Sequence, residues 1–145
     1  MRRQPLLGVS EGALLQGERA PCSAALAPSE QLTPRDGTLL GQLFESLVTL
    51  SVRVYAQLAE ARVRHLRTTD GRHEVDLIVE RADQRVVALE VKLAPHIDER
   101  DVQPLRWLRQ QLGEDLLDAA IITTGRHAYR RTDGIAVIPA SLLTA

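Results

Sequence analysis

The sequence predicts an α/β protein, a mixed central β-sheet flanked by helices. Three observations carry that expectation. Leu40, Leu43, Phe44, Leu47, Val54, Tyr55 and Leu58 recur at helical spacing over 39–58. Alternating and apolar runs then fill 62–93, the pattern of consecutive strands. A second helical stripe, Val102, Leu105, Leu108 and Leu112, separates them from a two-sided apolar strand at 116–124 and a short one at 135–138. The order α-β-β-β-α-β-β suits an α/β layer.

In chain order, 1–36 reads as a poorly ordered segment with one short helix capped by Ser10, then a loop from Gly17 to Pro28. The domain proper is expected over 37–145. Asp36 or Thr38 can cap the first long helix. Arg62–Arg67 alternates as a strand, and Thr69–Arg72 makes a hairpin turn. Glu74–Glu80 is the next strand, with Val75, Leu77 and Val79 on one face and Glu74, Asp76 and Ile78 on the other. Ala82–Gln84 turns the chain into a strand at 85–93. Ala94-Pro95-His96 stops it, the helix 98–112 follows, and Pro139 starts a last helical turn over 140–143.

Composition bounds the rest. At 145 residues one domain is expected. With 44% hydrophobic, 26% charged and only 3% aromatic residues, an ordinary core can form from Leu, Val, Ala and Ile. A net charge of −1 and a pI of about 6.4 argue against a generally cationic nucleic-acid binder, while local Arg patches can still form. The one cysteine, Cys22, excludes an internal disulfide and a cysteine-cluster metal site. No apolar run approaches the ~20 residues of a membrane span. Met1–Leu7 mimics a signal peptide, but Glu11 and Glu18 break any apolar region, so a cytoplasmic protein is expected. No GxxxxGK followed by Ser or Thr occurs, hence no ATP site of the P-loop kind.

Chemistry concentrates in the strand at 85–93. Glu90 and Lys92 interrupt an apolar run, and their spacing puts both on one face, roughly 6.6 Å apart along the strand. Charges there are costly unless paired with each other, a metal or a substrate. If the two strands are antiparallel neighbours, Asp76 lies beside Glu90. Of the 18 cationic side chains only Lys92 is lysine. Arg stays protonated as a planar fork, whereas Lys is a point donor able to lose its proton. An edge-strand Lys that only blunts pairing is the plainer account.

Other positions carry weaker signals. Arg64, His65, Arg67, Arg72 and His73 cluster around the first hairpin and could meet phosphates, or form a solvated rim. His65 and His73 lack partners at metal-ligand spacing and read as structural. Gln103 and Trp107 share a helix face. Arg126, Tyr129, Arg130 and Arg131 form a basic loop with one aromatic, open to nucleic acid or to solvent alone.

Asp76, a short hairpin and Glu90-x-Lys92 resemble the PD-(D/E)xK nuclease signature of the restriction-endonuclease-like fold, with Val75-Asp76 in place of Pro-Asp. The wider text is GTLLGQLFESLV, HLRTTDGRHEVDLIVE, ALEVKL, LRWLRQQLG, IITTG and IAVIPASLL. From about Leu6 onward it is similar to the C-terminal domain of a large bacterial family of AAA-type ATPases. There a P-loop ATPase precedes a nuclease-like domain of unassigned role, so this chain would begin partway through a larger architecture.

The resemblance implies a Mg²⁺- or Mn²⁺-dependent phosphodiester hydrolase acting on DNA. Asp76, Glu90 and the Val91 carbonyl would hold the ion. Glu45, on the first helix, would join through water, unless it is a solvated helix glutamate. Lys92 would position or deprotonate the attacking water, or neutralise the developing phosphorane. Gln103 and Trp107 match a Gln-x-x-x-Tyr pair that touches nucleic acid in some such nucleases, though Trp loses the hydroxyl. It can stack on a base or simply anchor the helix. Arg72, Arg126 and Arg130 are further candidates for phosphate contact. The alternative is a catalytically silent module that binds nucleic acid or a partner, or regulates an AAA-type ATPase in trans. A fragment of such an ATPase is a third reading.

Overall fold

The computed structural model describes the strand Ala13–Gln16 and residues 38–143. That first strand, β1, pairs antiparallel with β2 (Arg62–Thr68). The alternation after Arg62 produces β2, β3 (Glu74–Glu80) and β4 (Val86–Lys92), joined as antiparallel neighbours. The chain crosses over through the helix α2 (Glu99–Leu112) and returns as β5 (Leu116–Thr123), parallel to β4. A two-residue strand, β6 (Tyr129–Arg130), precedes β7 (Ala136–Pro139), which lies parallel to β5. The sheet order is β1-β2-β3-β4-β5-β7-β6, so the protein is α/β with a mixed sheet, as expected.

Two strands exceed the expected order. β6 is a short edge antiparallel to β7. β1 replaces, over Ala13–Gln16, the helix expected from Ser10. Pairing with β2 supplies backbone partners that local pattern does not reveal. Ser10, the loop Gly17–Pro28 and Asp36 lie outside the described residues.

The first long helix, α1 (Leu39–Leu58), begins at Thr38, whose Oγ1 accepts from the Gly41 N–H at 3.3 Å. It covers one face of the sheet through Phe44, Val48 and Val52, packed with Leu77, Leu89, Val91 and Ile122. α2 covers the other face, where Val102, Leu105 and Leu108 pack against Leu66, Val75, Ile78, Ala88 and Ile121. Along β4 the two-residue period holds. Val86 and Ala88 face α2 while Leu89 and Val91 face α1, so Glu90 and Lys92 follow Ala88 on the α2 side.

β3 breaks that period, which corrects the expected faces. Val75 and Ile78 share the α2 cluster, and Leu77 and Val79 belong to the α1 cluster. The pairing with β2 explains it. Arg64 faces Ile78, yet Leu66, two residues on, faces Val75, three residues back. One extra residue sits in β3 near Asp76 and Leu77, a bulge that bends the strand and re-aims its side chains.

α2 is strongly delimited. Asp98 accepts from the Arg100 and Asp101 N–H groups at 2.7 and 3.2 Å, and Asp101 accepts from the Asp98 N–H at 3.0 Å. This reciprocal capping box satisfies N–H groups that the helix itself leaves unpaired. Gly113, with φ 55°, ends the helix in a left-handed conformation that a side chain disfavours. Asp98→Ala is expected to cost about 1 kcal/mol, read as a lower urea midpoint at unchanged slope.

Two further contacts fix the ground beyond Lys92. The Thr124 N–H donates to the Ala94 carbonyl at 3.2 Å. A Cβ on Gly125 would come within 2.9 Å of the Pro95 carbonyl oxygen, so this crossing requires glycine. Arg106 joins Glu99 to Asp133, and Arg131 also reaches both acids, tying α2 to the β6–β7 hairpin.

Candidate active site

β3 and β4 pair from Glu80–Val86 to Leu77–Leu89 and then part. Asp76 and Glu90 are the first residues past that last rung. There the Val91 N–H is met by a side chain, donating to Asp76 Oδ2 at 2.8 Å. Behind the bulge stands His65, a buried histidine of β2. Its Nδ1 lies 3.2 Å from the Asp76 carbonyl oxygen and its Nε2 3.2 Å from Glu74 Oε1. The bulge is thus clasped on both sides of Asp76.

Glu90 is 4% exposed, and its Oε1 is buried without a hydrogen-bond partner. Burial pushes its carboxyl well above the ordinary value of 4.5. The Asp76 charge beside it adds to the rise, and Lys92 opposes it. The parting of the two strands therefore brings Asp76 and Glu90 together, one carboxylate anchored by a backbone donor and the other with an unused oxygen.

Lys92 follows Glu90 on the α2 side and is 38% exposed, with Nζ 3.6 Å from Asp101 Oδ1. The amine is shared with a residue of the α2 capping box. Nothing in the local pattern connects Asp101 to Lys92, because the contact exists only once α2 crosses the sheet. The buried histidine behind Asp76 is visible in the sequence but reads there only as structural; its one signal is an alternating strand with His65 at an inward position.

Glu45 sits with Thr49 and Arg53 on one wall of a cleft whose other walls are Val63, Arg64 and His65 of β2 and Asp76 and Leu77 of β3. Glu45 and Asp76 thus line the same cleft. Among the described residues, no three His, Cys, Asp or Glu side chains form a cluster able to hold a metal ion. The pair Asp76 and Glu90 nevertheless offers the hard oxygen donors of a Mg²⁺ site. Mg²⁺ keeps several waters and is commonly held by one or two carboxylates. An ion there would relieve the orphaned Glu90 Oε1 and the crowding of two acids, with the Val91 carbonyl as a third donor.

The candidates for nucleic-acid contact are spread out. Arg72, in the β2–β3 turn, pairs with Asp70 at 3.3 Å. Trp107 is partly buried against the α2-side core and stacks on His73, ring centroids 4.1 Å apart and planes 3° from parallel. Gln103, four residues before it, is exposed, as is Arg126 after β5. Arg130 on β6 is bound by Asp118 at 2.8 Å and by the Gly134 carbonyl at 2.8 Å. The structure gathers His73 and Trp107 into one stack and leaves Arg126 and Arg130 at the other side of the sheet order.

Among the described residues no helix is long and apolar enough to cross a membrane. No curated protein matches the chain. A family model does, over residues 40–143, from the second residue of α1 to the end of the turn at Ala140–Leu143. The chain therefore belongs to the family described as Domain of unknown function (DUF4143).

Proposed function

We propose that this domain is a metal-dependent phosphodiester hydrolase of the restriction-endonuclease-like, PD-(D/E)xK kind, acting on DNA within an AAA-type ATPase system. One observation carries the reading. A buried carboxylate oxygen on Glu90 has no partner and lies beside a second carboxylate, Asp76, two residues from the chain's only lysine. Buried acids left in that state are costly and mark sites where a charge is brought in from outside. The resemblance to nuclease-like domains of AAA-type ATPases supports the substrate class and the partner.

When bound at Asp76 and Glu90, Mg²⁺ or Mn²⁺ would supply charge for the scissile phosphate and an acidified water. The chain's own residues do the rest. The Val91 N–H fixes Asp76 through Oδ2 and so holds its carboxyl beside Glu90, where the two acids would hold the ion. Lys92 is exposed enough to turn from Asp101 toward a phosphate oxygen or the attacking water. The α1 wall, with Glu45, closes the cleft on the Asp76 side.

The test is cleavage of plasmid and single-stranded DNA with Mg²⁺ or Mn²⁺. Wild type is expected to cut, and Lys92→Ala to lose at least about 10²-fold in rate. Cleavage of equal rate in both Lys92→Ala and Asp76→Ala would assign the activity to a contaminant.

The Lys92–Asp101 pair favours a second reading, a catalytically silent module in which the amine is a structural tie between β4 and α2. Retained DNA or ATPase binding with no cleavage in any metal would select it. Asp101→Asn separates the two: freeing the amine should leave hydrolysis intact or faster, whereas a purely structural tie would show only lost stability.

A further inference from the structure

We infer that the outward face of α1 is the surface through which two copies of this chain associate. Leu40, Leu43, Leu47, Leu50 and Val54 are each between 44% and 62% exposed. They run at alternating steps of three and four residues, so they form one stripe along the helix. Leu39 and Leu58 extend its ends and are also exposed. The stripe lies nearly opposite Phe44, Val48, Val52 and Ala56, which face the sheet or are buried.

A surface helix normally pairs one apolar face with a polar one, and a helix apolar on both is buried on both. The sheet accounts for only one face of α1. Together the outward residues expose about as much surface as four whole leucines, beyond the patch of a few hundred Å² usual on a monomer. With its rim such a patch is on the order of the 800 Å² per partner that a stable pairing needs.

The stripe also says which partner it fits. Its spacing is that of an a/d seam, where side chains of one helix fill gaps between those of another. A second α1 carries the same spacing and is therefore complementary to the first, as a two-fold contact requires. The only charged residues of α1 are Glu45 and Arg53, and neither lies on the stripe. Two copies meet without like-charge repulsion, and a partner chosen by charge would find nothing there to recognise. Glu45 projects from the far side of the helix, so pairing leaves the Asp76 cleft open.

Sedimentation velocity on the full chain, over a wide concentration range, tests this. Wild type is expected to sediment at twice the 16.0 kDa of one chain. Leu47→Lys and, separately, Leu50→Lys should weaken association by about 100-fold or more, a cost of about 2.7 kcal/mol, because each two-fold contact then buries a pair of ammonium groups. Circular dichroism should show both variants folded, as expected for changes on an exposed face. A wild type that stays monomeric throughout overturns the inference. So does an undiminished dimer in both variants. A monomeric wild type destabilised by Leu47→Lys would mean that the chain's own residues 17–37 occupy the stripe.

Discussion

Asp76→Ala is expected to remove metal-dependent DNA cleavage, by about 10³-fold or more if Asp76 is a ligand whose charge the transition state uses. It should also lower stability by about 1–3 kcal/mol, because the Val91 N–H loses its acceptor in a half-buried notch. The two losses have different causes, and Asp76→Asn divides them. An amide oxygen still accepts from Val91, so stability should be nearly kept. The negative charge is gone, so Mn²⁺ affinity, measured by titration calorimetry, and cleavage should both fall. An Asp76→Asn variant that cleaves like wild type would falsify the assignment of Asp76 as a metal ligand. Loss of stability in both variants alike would instead show that charge, rather than an acceptor, holds the notch.

The second large effect is the pH dependence set by Glu90. Its folded carboxyl titrates well above the ordinary 4.5, chiefly because it is buried and next because Asp76 is beside it. In the window between those two values the folded state holds a proton that the unfolded state has lost. Stability from this group is therefore greatest below about pH 4.5 and falls as pH rises toward the folded value, by up to about 1.4 kcal/mol per pH unit. Above that window the loss is complete and constant.

Other acids act with the opposite sign. Arg130 holds Asp118, and Arg131 and then Arg106 hold Glu99, below their ordinary values. Their contribution is present at neutral pH and disappears as pH falls through their folded values. Glu90→Gln keeps the shape, removes the charge and lets an amide N–H donate toward Asp76. Urea unfolding of wild type and Glu90→Gln from pH 4.5 upward should give a difference that grows with pH in favour of the variant. Parallel curves would mean that Glu90 is ionised and already satisfied. Mn²⁺ at alkaline pH should restore wild type and leave Glu90→Gln unchanged, since an ion selects the ionised acid.

Much of this site is legible in the residues alone. Glu90 and Lys92 interrupt an apolar strand two residues apart, and a period of two puts them on one face whatever the strand pairs with. The spans of α1, β3 and β5 follow from periodicity, and turn residues end β3 and begin β4. Asp76 beside Glu90 requires the added assumption that β3 and β4 are antiparallel neighbours, which a short connection favours.

Other features depend on partners distant in the chain. The bulge in β3 arises because β2 and β3 pair with unequal residue counts, and no property of EVDLIVE alone encodes that mismatch. It decides that Val75 and Ile78 share a core while Asp76 is freed to meet the Val91 N–H. The Lys92–Asp101 pair needs α2 folded across the sheet, and β1 needs an open edge on β2.

The sequence by itself determined which residues carry charge into an apolar strand and on which face, since side-chain period is a local property of the backbone. Only the tertiary structure decided where β3 and β4 separate, which groups go unpaired there, and that α1 keeps a leucine stripe outward. Burial and hydrogen-bond satisfaction belong to the packed assembly of elements, not to any one stretch of chain.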